Sequence, residues 1–199
     1  MPVVPGKQPV TSPPALAPAP PVIDELARAC VRYVQEAMGM QLDYEPETLP
    51  LLDHYLASRR RDLASRPDLA SLIARAAGAY FGEVVRRRVQ TFWHVPTDDP
   101  SSWELRAEPV YLSFNPVAVA HDVMSHGDEE GPTSRLELDD EDRDLVEARL
   151  AELPAATENE FYSLCTWLEV IDIAVDAAKA RMMRDGLGDV VFKPGDYDE

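Results

Sequence analysis

The sequence is poor in cysteine: its 199 residues include only Cys30 and Cys165, far apart and each on an apolar helical stripe. That scarcity excludes a disulfide framework and predicts two buried free thiols, which suits a reducing compartment. Long apolar runs are missing too. Nothing approaches the roughly 20 consecutive apolar residues of a membrane-spanning helix, and the early prolines interrupt any apolar core of a signal peptide. A cytoplasmic protein without membrane contact is expected. Positive charge is also short, with 19 Lys+Arg against 36 Asp+Glu and a formal net charge of -17. A field of that sign repels phosphate, which argues against nucleic acid as a partner.

Signatures of catalysis are absent in turn. There is no nucleophile elbow, no phosphate-binding loop, no dinucleotide fingerprint and no paired metal-ligand motif. His121 and His126 are five apart, and the glutamate of a zinc-protease helix is not between them. Asp140, Asp142 and Asp144 imitate the opening of a calcium loop, but Leu145 stands where glycine is required and Ala151 where the bidentate glutamate belongs. No metal and no cofactor are expected.

What the chain does have is a core. Its 45% hydrophobic content suits one globular domain. Residues 1–21 are Pro/Ala-rich with Lys7 as the only charge, which predicts a disordered or polyproline-like arm. A single α+β domain is expected over 22–192, followed by a flexible tail at 193–199.

The domain is organised around residues 68–89. At helical spacing, Leu69, Leu72, Ala76, Ala79 and Tyr80 form one apolar stripe, and Ala74, Gly78, Phe81, Gly82, Val85 and Val89 form another. Two apolar faces predict a central helix with neighbours on both sides. Gly78 and Gly82 each cost about 1 kcal/mol of helix propensity relative to Ala, so they predict close approach of another element. Glu83 projects from the first stripe, where a lone carboxylate is costly to desolvate. It needs a partner, and Arg87 at i+4 is the expected one, with Arg86 and Arg88 beside it. A structural ion pair and a general base in a cleft are both open.

This segment carries a resemblance. Residues 78–86, Gly-Ala-Tyr-Phe-Gly-Glu-Val-Val-Arg, follow Leu42-Asp43-Tyr44 through Leu49 and Leu52-Asp53-His54-Tyr55-Leu56. Together they resemble a family of small uncharacterised bacterial domains that carry an aromatic-x-Gly-Glu-Val helix, then a Trp at the start of a small sheet. The motif residues here are Gly78, Tyr80, Gly82, Glu83, Arg87 and Trp93, and the similarity spans residues 42–124. One departure is plain: Val89-Gln90-Thr91-Phe92 precedes Trp93 where the family pattern has a Gly-rich turn. The resemblance implies a fold and no activity.

Around the centre, helices are predicted over 23–38, from Pro46 through Leu63, over 117–124, within the acid-rich stretch 128–152 after a loop at 127–135, and from Thr157 to Arg184. Arg59-Arg60-Arg61 suits the end of the second helix, and Arg66-Pro67 breaks the chain before the central one. Asn115-Pro116 is a helix opening. Thr157-x-x-Glu160 is a capping box for the last helix, whose main stripe includes Phe161, Leu164, Cys165, Leu168 and Ile171. Val146, Leu150 and Leu153 are expected to turn inward. Glu169, Asp172 and Asp176 form an acidic stripe whose spacing could hold a divalent cation, with pairing to arginines of the central helix the favoured expectation. Residues 91–95, 103–107 and 110–114 show strand periodicity, and 189–192 is a candidate edge strand. The expected fold is mostly helical, about six helices packed around a central helix with a small antiparallel three-stranded sheet.

Charge gives the functional lead. Residues 1–106 hold 12 Lys+Arg against 13 Asp+Glu, whereas residues 107–199 hold 7 against 23. The leading expectation is a non-catalytic protein-interaction or immunity-type domain of a bacterial cytoplasm. Its acidic C-terminal half meets a basic protein partner, with Asp128, Glu129, Glu130, Asp139, Asp140, Glu141, Asp142 and Asp144 as candidate contacts. The alternative is a small hydrolase-like enzyme using Glu83 as acid or base, His94 or His121 as proton carrier and Arg86 to Arg88 as an anion holder. A third reading is a structural subunit that presents its N-terminal arm as a proline-rich ligand.

Overall fold

A computed structural model describes residues 17–127 and 134–198. In chain order the elements are α1 (Pro21–Met38), α2 (Leu49–Ala64), α3 (Pro67–Arg88), β1 (Thr91–His94), β2 (Glu104–Ala107), β3 (Leu112–Phe114), α4 (Pro116–Ser125), β4 (Glu137–Leu138), α5 (Asp140–Ala151), α6 (Glu158–Phe161) and α7 (Leu164–Arg184). The class is α+β as expected. Among the described residues there are seven α-helices rather than six, and four antiparallel strands in the order β1-β2-β3-β4 rather than three. The extra strand is two residues long, pairing Leu138 with Leu112 and Glu137 with Ser113, too short to announce itself by alternation. Residues 189–192 form no strand, although Phe192 N–H donates to Glu108 O at 2.8 Å.

The extra helix comes from the capping box. Thr157 and Glu160 cap each other reciprocally, but the turn they open is α6, and Phe161 within it is 61% exposed. The long helix begins after Ser163, whose hydroxyl accepts from Thr166 N–H at 3.1 Å. A tertiary contact finishes that start. The Asp53 carboxylate on α2 accepts from Leu164 N–H at 2.8 Å and Cys165 N–H at 3.2 Å, two of the orphan donors of the first turn. Burial pushes this carboxyl above its usual range while the two donors pull it back. Both cysteines are free, and burial raises both thiols, Cys165 to about 12.

Helix α3 runs through the core. From Ile73 to Val85 nearly every residue is buried, and Ala79, Tyr80, Phe81, Val84 and Val85 are completely so. The inner stripe starts one turn later than its spacing predicts: Leu69 is half-buried and Leu72 is 39% exposed, both lining an open groove beside Tyr33 of α1 and Tyr55 of α2. Tyr80 ties α3 to the link between α1 and α2. Its hydroxyl accepts from Tyr44 N–H at 2.9 Å and sits 3.0 Å from Thr48 Oγ1, and its ring stacks on Tyr44 at 4.8 Å. Burial pushes the Tyr80 phenol up to about 12.

The two glycines mark where other elements press closest. A Cβ on Gly78 would lie 2.6 Å from both Pro116 O and Val117 Cα, so the first turn of α4 rests directly on the α3 backbone. A Cβ on Gly82 would lie 2.3 Å from the Trp93 ring. The start of α4 is fixed by Asn115, whose Oδ1 accepts from Val117 and Ala118 N–H while its Nδ2 donates to Pro100 and Ser101 carbonyls.

Strand alternation divides the sheet into two faces. Thr91 and Trp93 face α3 with Leu105 and Ala107, and Phe114 meets Phe81 edge-on at 6.2 Å. Phe92, His94, Glu104 and Arg106 lie on the other face. Residues 192–198 rest against that face. Tyr197 OH donates to Ala107 O at 2.6 Å and accepts from Leu112 N–H at 3.1 Å, its ring stacks on Tyr111 at 4.7 Å, and Asp198 pairs with Arg106 at 2.9 Å.

Alanine at Gly78 or Gly82 should therefore destabilise the fold by about 1–3 kcal/mol despite its better helix propensity. Urea titrations should show both midpoints falling. A gain in stability at either position would contradict the backbone approach.

Candidate functional site

Glu83 is the buried acid that the sequence singles out, and its partners differ from the expected one. Its Oε1 accepts from Trp93 Nε1 at 2.7 Å and lies 2.9 Å from Arg86 Nε, an ion-pair contact off the axis of an aligned hydrogen bond. The side chains of Glu83 and Arg86 are 12% and 3% exposed. Arg86 at i+3 replaces Arg87 at i+4 because it is the arginine on the inward side of the last turn. Arg86 also donates from its terminal nitrogen to Ala17 O at 2.5 Å, so the same guanidinium anchors the segment that leads into α1. Arg87 turns outward, stacking over the Tyr44 ring at 4.4 Å and donating to Asp43 O at 3.3 Å.

The histidines do not join this carboxylate. His94 follows Trp93 on β1, and successive residues on a strand point to opposite faces; when Trp93 takes the inner face His94 takes the outer one, opposite Glu104. His121 stands on α4 beside Arg60, Ala70 and Met124. Ala70 and Glu83 are 13 residues apart on α3, which is about 20 Å along a helix. The arrangement around Glu83 is thus a packed electrostatic tie. A carboxylate, a guanidinium and an indole N–H compensate one another where little water reaches them, and Gly82 leaves room for the indole.

The acidic half has its own structure. Asp142 on α5 is 1% exposed and is clasped by Arg181 of α7, with Nε to Oδ1 at 2.6 Å and a terminal nitrogen to Oδ2 at 2.8 Å. The same arginine reaches Glu141 at 3.0 Å, Asp139 at 3.6 Å and Asp185 at 3.7 Å. The hydrogen bonds that Arg181 donates to Asp142 raise the arginine's pKa further, and burial followed by the Asp142 charge raises Asp139. Asp139, Glu141 and Asp142, expected as partner contacts, are therefore engaged within the fold. Asp140 is fully exposed, with Arg143 at 3.9 Å. Asp144, Glu147 and Glu152 are exposed and form no ion pair with a described residue. Asp128, Glu129 and Glu130 lie outside the described residues. Leu153, expected inward, is 47% exposed just past the end of α5.

On α7, Asp172 pairs with Arg88 of α3 at 2.7 Å, as its place in the acidic stripe predicts. Glu169 and Asp176 on either side remain exposed. Asp53, Arg181 and Ala17 were not foreseen as ties. Asp53 and its α7 partners are 111 and 112 residues apart, and Arg181 and Asp142 are 39 apart, so no local pattern connects them. The Trp93 partner could have been found, since an indole N–H ten residues from a buried acid also needs an acceptor.

Among the described residues, no helix is long and apolar enough to cross a membrane, and no group of three or more His, Cys, Asp or Glu is placed to hold a metal ion. No family model, no curated protein and no solved structure matches the chain.

Breaking the Glu83 tie should be costly and non-additive. Glu83→Gln keeps an acceptor for the indole but strands the Arg86 charge, and should cost about 3 kcal/mol. Removing both charges with Glu83→Gln/Arg86→Met should cost less than the sum of the single changes, by about 1–3 kcal/mol in a denaturant double-mutant cycle. Additive losses would contradict the tie.

Proposed function

We propose that this chain is a non-catalytic protein-interaction module of immunity type, which meets a basic surface on a protein partner through the outer face of α5 and the neighbouring face of α7. The observation that carries this reading is the division among the carboxylates. Glu83, Asp53 and Asp142 are each consumed by structural partners, whereas Asp140, Asp144, Glu147, Glu152, Glu169 and Asp176 face solvent. Exposed acids concentrated on two adjacent helices give a directional negative field, which steers a cationic partner and rejects anionic ones. The resemblance to small bacterial domains built on an aromatic-x-Gly-Glu-Val helix belongs to the same reading, as does a cytoplasmic setting for two free thiols.

The hydrolase reading draws less support. It needs Glu83, a histidine and free arginines around one opening, and the Glu83 carboxylate already holds Trp93 and Arg86 while His94 and His121 lie elsewhere.

Charge reversal separates a defined face from bulk charge. With an immobilised Arg/Lys-rich peptide at low salt, Asp144→Lys/Glu147→Lys/Glu152→Lys should weaken binding about tenfold or more. The matched set Glu25→Lys/Glu36→Lys/Glu47→Lys should do far less, and the wild-type interaction should weaken as salt rises. Equal losses from both sets, or indifference to salt, would remove the acidic face as the binding surface.

A further inference from the structure

One corner of this acidic molecule is positive. Across residues 59–75 five arginines stand against two aspartates, Asp62 and Asp68. Two of those arginines serve the fold: Arg60 donates to the Met124 and Val123 carbonyls at the end of α4, and Arg75 donates to Ser71. Arg59, Arg61 and Arg66 form no ion pair with a described residue, and Arg59 lies over the Tyr55 ring at 5.8 Å.

Arg59 and Arg66 border a groove of about 210 Å³ between α1, α2 and the first turns of α3, walled by Tyr33, Tyr55, Leu69 and Leu72, with Asp62 its single acid. Leu72 is 39% exposed there, although its helical spacing is that of a core residue. The volume falls below the roughly 300 Å³ at which small-molecule pockets begin, and it suits one or two apolar side chains. An apolar floor bordered by arginines is complementary to a segment that alternates aromatic or aliphatic residues with carboxylates.

We infer that this groove is a second docking site, which takes an acidic segment of another protein anchored by Leu or Phe. The anchor packs on Tyr33, Leu69 and Leu72, and flanking Asp or Glu carboxylates pair with Arg59 and Arg66. Two observations favour a peptide over nucleic acid. The floor is apolar and local rather than an extended basic track, and the excess negative charge on the rest of the chain repels a polyanion at long range but matters less to a short segment. The site is separate from the acidic face of α5, so either can fail without the other.

The test uses the full chain and a fluorescein-labelled helical peptide of Glu, Leu and Phe. Fluorescence anisotropy should show saturable binding. Arg59→Glu/Arg66→Glu and, separately, Leu72→Glu should each weaken it about tenfold, and the triple reversal on α5 should leave it in place. Circular dichroism checks that these exposed-site variants remain folded. On the wild-type chain, the peptide should shift NMR resonances of Tyr33, Tyr55, Leu69 and Leu72. Absence of saturable binding, or shifts located elsewhere, would overturn the proposal. So would tighter binding of a single-stranded oligonucleotide or of anionic vesicles under the same conditions. A dimer of the chain alone that Arg66→Glu dissolves would assign the groove to a second copy and overturn it as well.

Discussion

The Glu83 carboxylate, held between Arg86 and the Trp93 indole, is the contact on which the architecture depends. It joins three parts of the chain that are remote in purpose: the segment before α1 through Arg86 and Ala17, the core helix through Glu83, and the sheet through Trp93. Gly82 makes it possible by omitting the Cβ that the indole would strike. Gly78 does the same for α4 one turn earlier. A buried ion pair is a weak source of net stability, since the cost of desolvating two charges offsets most of their attraction. Its contribution here is geometric. It fixes the rotation of α3 and the register at which sheet and N-terminal segment meet it, because any slip would strand a charge.

The same logic recurs on the other side of the molecule. Arg181 closes α5 onto α7 by a two-pronged grip on Asp142, a carboxylate that is almost wholly buried. Asp53 completes the start of α7 from α2. Interior acids therefore serve as fasteners, and the remaining negative charge is left on outward faces. Charge on this chain has two uses separated by burial, with Arg59 and Arg66, which form no ion pair with a described residue, on a third surface beside Tyr33 and Leu72.

Much of this was legible in the sequence where the signal was local. The central helix, the close approach at Gly78 and Gly82, the Asn115 cap, the three longer strands and the partner for Asp172 all follow from spacing, propensity and the cost of an unpaired group. What was not legible depended on contacts distant in sequence or on choices between adjacent residues. Arg86 and Arg87 are equally suited to Glu83 by charge, and only the angular position of the neighbouring elements decides between them. His94 and Trp93 compete for the inner face of β1, and the larger apolar ring takes it. Thr157 and Glu160 form their capping box as written, yet the helix they start ends after one turn because Ser163 and Asp53 open a better one. Leu72 and Phe161 have core spacing without a covering element.

Native-state hydrogen exchange tests the central claim most directly. If α3 is the enclosed rod to which everything else is tied, backbone amides from Ile73 to Arg86 should exchange only through global unfolding, with the highest protection in the chain. Amides of α5 should open through smaller fluctuations at lower free energy. Protection of α3 equal to or below that of α5, or local opening around Glu83 that leaves the rest folded, would contradict the account.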